Sequence, residues 1–173
     1  MNYANIKYCD IANGPGVRVS LFVSGCRHHC KNCFNQETWD FLFGKPFTEE
    51  VLINLIDNLK YDYISGFSLL GGEPFEPENQ KSLVNILKVI KNTYPEKSIW
   101  CWTGWNLDKE LSKGGSKYTE YTDEMLSYID VLVDGPFIEE LKNVKLVFRG
   151  SSNQRIIDLK ATRQNKKIIT LDY

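Results

Sequence analysis

Short apolar runs recur along the chain, each closed by a polar or glycine-bearing turn and followed by a helix-patterned stretch. This alternation narrows the folds open to it. Val17, Val19, Leu21 and Val23 alternate with Arg18, Ser20 and Phe22, the period of a strand. Thr48 suits a helix N-cap, with Glu49 and Glu50 in the first turn where the helix dipole favours acids. Val51, Leu52, Leu55, Ile56 and Leu59 then form one apolar stripe. Phe67 to Leu70 reads as a second strand, ended by Gly71-Gly72, and a helix starting near Pro77 carries Leu83, Leu87 and Ile90 along one face. Ile99 to Thr103 and Val131 to Val133 read as further strands, with Val144 to Phe148 and Ile168 to Leu171 as additional candidates. Lys113 to Lys117 reads as an exposed loop.

Strands alternating with helices predict an α/β fold, a mostly parallel sheet with right-handed crossovers. The chain has 173 residues, and a closed eight-stranded barrel typically needs more than about 200. An open, partial β/α barrel of about five or six strands fits better. In such sheets reactive groups gather on loops after the carboxyl ends of strands, so the loops after Val23 and Leu70 are expected on one rim.

The length suits one domain over residues 1–173. Hydrophobic residues make up 42% and charged residues 25%, an ordinary soluble composition. Neither a secretory signal nor an apolar stretch of membrane-spanning length is seen, so a cytoplasmic protein without membrane contact is expected. Lys and Arg total 21 against 22 Asp and Glu, which argues against a nucleic-acid partner. The charge is uneven: from Lys142 onward it is +6, and in the remainder −7. The segment from about 149 to 173 reads as a solvated basic tail, with a docking surface for an acidic protein as the other reading.

Three of the five cysteines form the spacing Cys26-x3-Cys30-x2-Cys33. In a reducing compartment this points to metal or cluster ligation rather than to disulfides. A cubane 4Fe-4S cluster bound by three thiolates keeps one iron open, the mark of a catalytic centre. A zinc site completed by His28, His29 or Cys9 is the competing reading, but no second ligand knuckle exists. His28 and His29 then read as loop or interface residues. Cys101, inside Ile99-Trp100-Cys101-Trp102, reads as a buried inert thiol, and Cys9 as unbridged.

With Gly71-Gly72-Glu73-Pro74 downstream of the cysteines, the chain resembles the radical S-adenosylmethionine (SAM) superfamily. The resemblance implies that the open iron binds SAM and that reductive cleavage yields a 5'-deoxyadenosyl radical. It implies SAM contacts from Gly71, Gly72 and Glu73, the carboxylate of Glu73 lying near the SAM ammonium. Many members carry an aromatic residue just before the third cysteine. Here Asn32 stands there and Phe34 follows Cys33, so either residue, with the backbone around Cys33, is a candidate for the adenine contact.

Asn13-Gly14-Pro15-Gly16-Val17-Arg18, Trp100-Cys101-Trp102-Thr103-Gly104, Val131 to Phe137 and Arg149 to Arg155 extend the likeness to activators of anaerobic (class III) ribonucleotide reductases. That resemblance implies a protein substrate, an anaerobic ribonucleoside-triphosphate reductase that receives a glycyl radical. It also implies a low-potential electron donor such as flavodoxin or ferredoxin. Each stretch has a plainer reading as well. Asn13 to Gly16 is a tight turn or a substrate-facing loop, and Asp134-Gly135-Pro136 a strand-ending turn or part of the site. Arg18 suits pairing with a carboxylate, and the tryptophan-rich strand suits core. Arg149 and Arg155 serve a ligand, a partner or the surface. The competing functions are a radical SAM enzyme acting on a small molecule and a non-catalytic iron-sulfur or zinc module.

Overall fold

The structure, a computed structural model, describes residues 1–173. The elements in chain order are β1 (Asn2–Asp10), β2 (Val17–Val23), β3 (Lys45–Pro46), α1 (Glu49–Leu59), β4 (Ile64–Gly71), α2 (Pro77–Thr93), β5 (Ser98–Trp102), α3 (Thr122–Tyr128), β6 (Val131–Asp134), β7 (Arg155–Asp158) and α4 (Leu159–Asn165). One sheet of seven strands runs in the order β3-β1-β2-β4-β5-β6-β7. Its centre, β2-β4-β5-β6, is parallel. The flanking pairs β3-β1, β1-β2 and β6-β7 are antiparallel. The result is a mixed α/β sheet with mostly parallel strands, and it stays open.

The strand alternation divides the residues between two faces. Val19, Leu21, Val23, Phe67, Leu69, Ile99, Cys101 and Leu132 face the helices and join a core of 22 buried residues that includes Leu55, Leu83, Leu87 and Met125. Thr48 caps α1 as expected, its hydroxyl accepting from the Val51 amide. The opposite face carries a smaller cluster of Trp100, Val131, Val133 and Ile156, with Trp102, Phe148 and Leu171 packed on it. No helix is long and apolar enough to cross a membrane.

Arg18 lies on this second face and is fully buried. The expected carboxylate partner is replaced by neutral acceptors: Ser68 Oγ at 2.7 Å, Phe67 O at 2.8 Å, Ser98 O at 2.8 Å and Ser98 Oγ at 3.0 Å. Burial lowers its pKa to about 10. Its role is to cross-link β2, β4 and β5.

The basic C-terminal segment departs from the expected solvated tail. Arg155–Asp158 forms the edge strand β7, with Ile156 and Ile157 buried, and Asp158 caps α4 by accepting from the Ala161 amide at 2.8 Å. Burial of these apolar side chains outweighs the charge around them. Val144 to Phe148 forms no strand, and Ile168 to Leu171 meets β7 through a single bridge between Thr170 and Ile157.

Candidate active site

Where β2 ends, the chain turns at Gly25, whose φ of +95° suits glycine. A Cβ there would lie 2.3 Å from the Phe41 ring. The Gly25 and Cys26 amides then donate to Thr38 O at 2.8 Å and Trp39 O at 3.3 Å, tying the cysteine loop to the helical turn Gln36–Trp39. Cys26 is buried, while Cys30 and Cys33 are half-buried and line a cavity of about 670 Å³.

The Asn35 amide donates to Cys33 Sγ at 3.4 Å. Burial lifts the Cys26 thiol to about 12 and also raises Cys30. Such thiols become ligands when a metal centre displaces their protons. Three cysteine thiols on one short loop are, by their chemistry, a donor set that fits an iron-sulfur cluster. No three His, Cys, Asp or Glu side chains, the loop cysteines included, are gathered into a group that would hold a metal ion.

The turn after β4 is stitched to the same loop. The Gly72 amide donates to Val23 O at 2.7 Å and the Glu73 amide to Gly25 O at 2.8 Å. The Glu73 side chain departs from its expected orientation toward a ligand, because its carboxylate is buried and fully engaged within the protein. One oxygen accepts from the Phe75 amide at 2.9 Å and Thr103 Oγ1 at 2.7 Å. The other accepts from the Gly104 amide at 2.8 Å and meets His28 Nε2 at 2.9 Å. Four partners saturate the lone-pair sites of a carboxylate. Glu73 therefore clamps the cysteine loop to the segment after β5, while Gly71 and Gly72 are the motif residues that face the cavity.

His28 is sandwiched between Glu73 and Trp105, with ring centroids 3.9 Å apart. Glu76, also fully buried, accepts from the Arg27 amide at 3.1 Å, Arg27 Nη1 at 2.8 Å and Lys117 Nζ at 2.9 Å. Two buried carboxylates thus fix the residues between Cys26 and Cys30. This answers why the loop carries Arg27 and His28: each supplies a cationic or polar head that a buried acid requires.

Around the rest of the cavity stand Asn32 and Phe34, which is 91% exposed at the mouth, Thr103 and Gly104 after β5, and Asn13. Asn13 is held in its turn by its own amide, donating to Asp10 at 2.7 Å, and its carbonyl accepts from Ser68 Oγ at 2.6 Å. Asp134 lies apart from the cavity lining. It is buried and pairs with Arg155, whose Nε and Nη2 donate to its two oxygens at 2.8 and 2.6 Å, while the Leu107 amide donates at 2.8 Å. Both residues tie β6 to β7 and to the loop after β5. Arg149, in contrast, lines the cavity.

Comparison with known proteins decides between the functions such a cavity supports. A family described as "4Fe-4S single cluster domain" matches residues 12–157. The chain is 42% identical over 158 residues to the anaerobic ribonucleoside-triphosphate reductase-activating protein of Enterobacteria phage T4, covering 90% of this chain and 93% of that one. The protein of the same name from Haemophilus influenzae is 44% identical, covering 90% and 97%. That from Escherichia coli strain K12 is 41% identical, covering 92% and 100%. The chain belongs to this family of activating proteins.

Within this family member, the matched stretch runs from the Asn13 turn through the cysteine loop to β7. Sequence reasoning did not single out Thr103, Glu76 or Lys117 as parts of the site. Thr103 carried a usable signal, since it follows the carboxyl end of a parallel strand. Glu76 and Lys117 carried none, because their pairing is long-range.

Proposed function

We propose that this activating protein places a glycyl radical on an anaerobic ribonucleoside-triphosphate reductase. The observation that carries this reading is the meeting of the cysteine loop and the Gly71-Gly72 turn at one open cavity, in a chain 42% identical to a named activating protein over 90% of its length. Cys26, Cys30 and Cys33 would hold the 4Fe-4S cluster by three of its irons, leaving the fourth for SAM. When bound, the cluster and SAM supply a 5'-deoxyadenosyl radical that removes a glycine Cα hydrogen.

The chain's own residues supply position and enclosure. Gly71 and Gly72 offer bare backbone against which the methionine part of SAM would lie, and Asn32, Cys33 and Phe34 would border its adenine end. Glu73 acts through His28 and Gly104, keeping cysteine loop and cavity wall in register. The Asn35 amide directed at Cys33 Sγ would favour the thiolate form of that ligand. Residues 1–173 act as one cytoplasmic unit, an open radical SAM barrel, with flavodoxin or ferredoxin as electron donor and without nucleic acid. Glycine suits the reaction because no side chain shields its Cα and the flanking amides stabilise the radical.

The test mixes reduced, reconstituted protein with SAM and the reductase under strict anaerobiosis. A doublet electron paramagnetic resonance signal is expected on the reductase, with methionine and 5'-deoxyadenosine formed alongside. Deuterated glycine in the reductase should pass deuterium to the 5'-deoxyadenosine. Efficient SAM cleavage with neither outcome would exclude this substrate.

A further inference from the structure

Two features of the cavity lie outside the cysteine loop and the Gly71-Gly72 turn. One wall is cationic: Lys142 and Arg149 line the cavity and no Asp or Glu does. Lys142 has Glu139 at 3.6 Å. Arg149 has no carboxylate partner; its Nη1 donates to Gln154 O at 2.9 Å and its buried Nε has no acceptor. The second feature is an apolar mouth. Phe34, beside the last cysteine, is 91% exposed, and Val144, from the segment between β6 and β7, is 92% exposed. Both border the same cavity.

The segment that carries Arg149 is held rigidly. Phe148 sits at φ +59°, a conformation disfavoured for a bulky side chain, and Trp102 Nε1 donates to its carbonyl at 2.8 Å. Gln154 Oε1 accepts from the Gly150 and Ser151 amides at 2.8 and 3.1 Å. A strained, braced backbone that holds a guanidinium without a carboxylate partner, its Nη1 anchored on Gln154 O, is a preorganised donor.

We infer that this mouth docks the glycine-bearing segment of the reductase, Arg149 donating to its main-chain carbonyls while Phe34 and Val144 pack against the residues flanking the glycine. The inference rests on the proposed activating function. A glycine has no side chain to grip, so it is positioned through its peptide groups and its neighbours. Entry into the cavity strips water from those carbonyls, and a planar guanidinium with free N–H groups replaces it. Exposed apolar side chains at a cavity rim gain by being covered. A cation is also better placed toward the neutral peptide than toward the sulfonium of SAM.

The experiment measures the initial rate of glycyl-radical formation against reductase concentration, using reconstituted protein and its Arg149→Met and Val144→Asp variants. Val144 is almost wholly exposed, so its variant folds. The KM for the reductase is expected to rise about tenfold in each, with a smaller change in kcat. SAM affinity is measured in parallel by titration. A KM unmoved in either variant overturns the docking assignment, and so does a loss of SAM affinity in Arg149→Met without a change in KM. Absence of any radical with the unmodified protein is a separate failure, that of the activating function itself.

Discussion

Cys26 is the most enclosed of the three loop thiols, and burial holds its proton to a pKa of about 12. As the three loop cysteines are the proposed ligands, replacing any one of them should empty the site. Cys26→Ala, Cys30→Ala and Cys33→Ala are each expected to abolish SAM cleavage, whereas Cys9→Ala and Cys101→Ala keep most of it. Iron content and 5'-deoxyadenosine yield are the readouts, and an active Cys30→Ala protein would refute the ligand set. Gly72 shows how tightly the two motifs are joined. A Cβ there would stand 2.6 Å from Gly25 O, a main-chain atom that cannot swing away. Gly72→Val should therefore lower cluster content together with SAM affinity. Glu73→Gln sets an amide against hydrogen-bond donors, a loss of about 2 kcal/mol. For a chain of this length that corresponds to a melting point lower by roughly 4–8 °C. Calorimetry on the anaerobic protein tests this, and an unchanged transition would mean that the clamp contributes little.

At the level of elements, Trp102 links β5 to the segment between β6 and β7 through its bond to Phe148 O. Trp102→Phe keeps the ring and deletes this bond, so amide hydrogen exchange over residues 142–150 should quicken while β5 stays protected. Equal exchange in both proteins would show that the segment is held by other contacts. The elements differ in how legible they were. β2 and α1 announce themselves by clean periods of two and near four, because each presents one face to the helix-side core. β1 shows the same alternation in the pattern Asn5, Lys7, Cys9 exposed against Ile6 and Tyr8 half-buried, but tyrosine and cysteine blur the polarity contrast. β7 hides among basic residues, since Ile156 and Ile157 are its only buried side chains and its Arg155–Asp134 pairing with β6 is long-range. Val144 to Phe148 reads as a strand for the opposite reason: its apolar residues serve the cavity mouth rather than a sheet. In the site, the cysteine spacing and the paired glycines were readable locally. The partners of Glu73, Glu76 and Arg18 come from distant segments, and no local pattern encodes them.

Across the whole molecule, the open sheet separates a helix-covered face, which supplies the main core, from a face that carries the cavity and the buried Arg18 network. Ion pairs at the far edge of the sheet set part of the acid limit. The Arg155 guanidinium holds the Asp108 carboxyl below its ordinary range by hydrogen bonding. A depressed carboxylate adds stability above its unfolded pKa, and that stability is lost as pH falls through the folded value. The urea midpoint should thus decline on going from about pH 7 to about pH 3, and Asp108→Asn should lessen the decline. An identical slope in the variant would remove this pair from the acid transition. None of the 22 residues of the main core belongs to the cysteine loop. Loss of the proposed cluster is therefore expected to leave the scaffold standing. Protein stripped of iron should keep its far-ultraviolet circular dichroism and its cooperative melting, and regain SAM cleavage when iron and sulfide are returned.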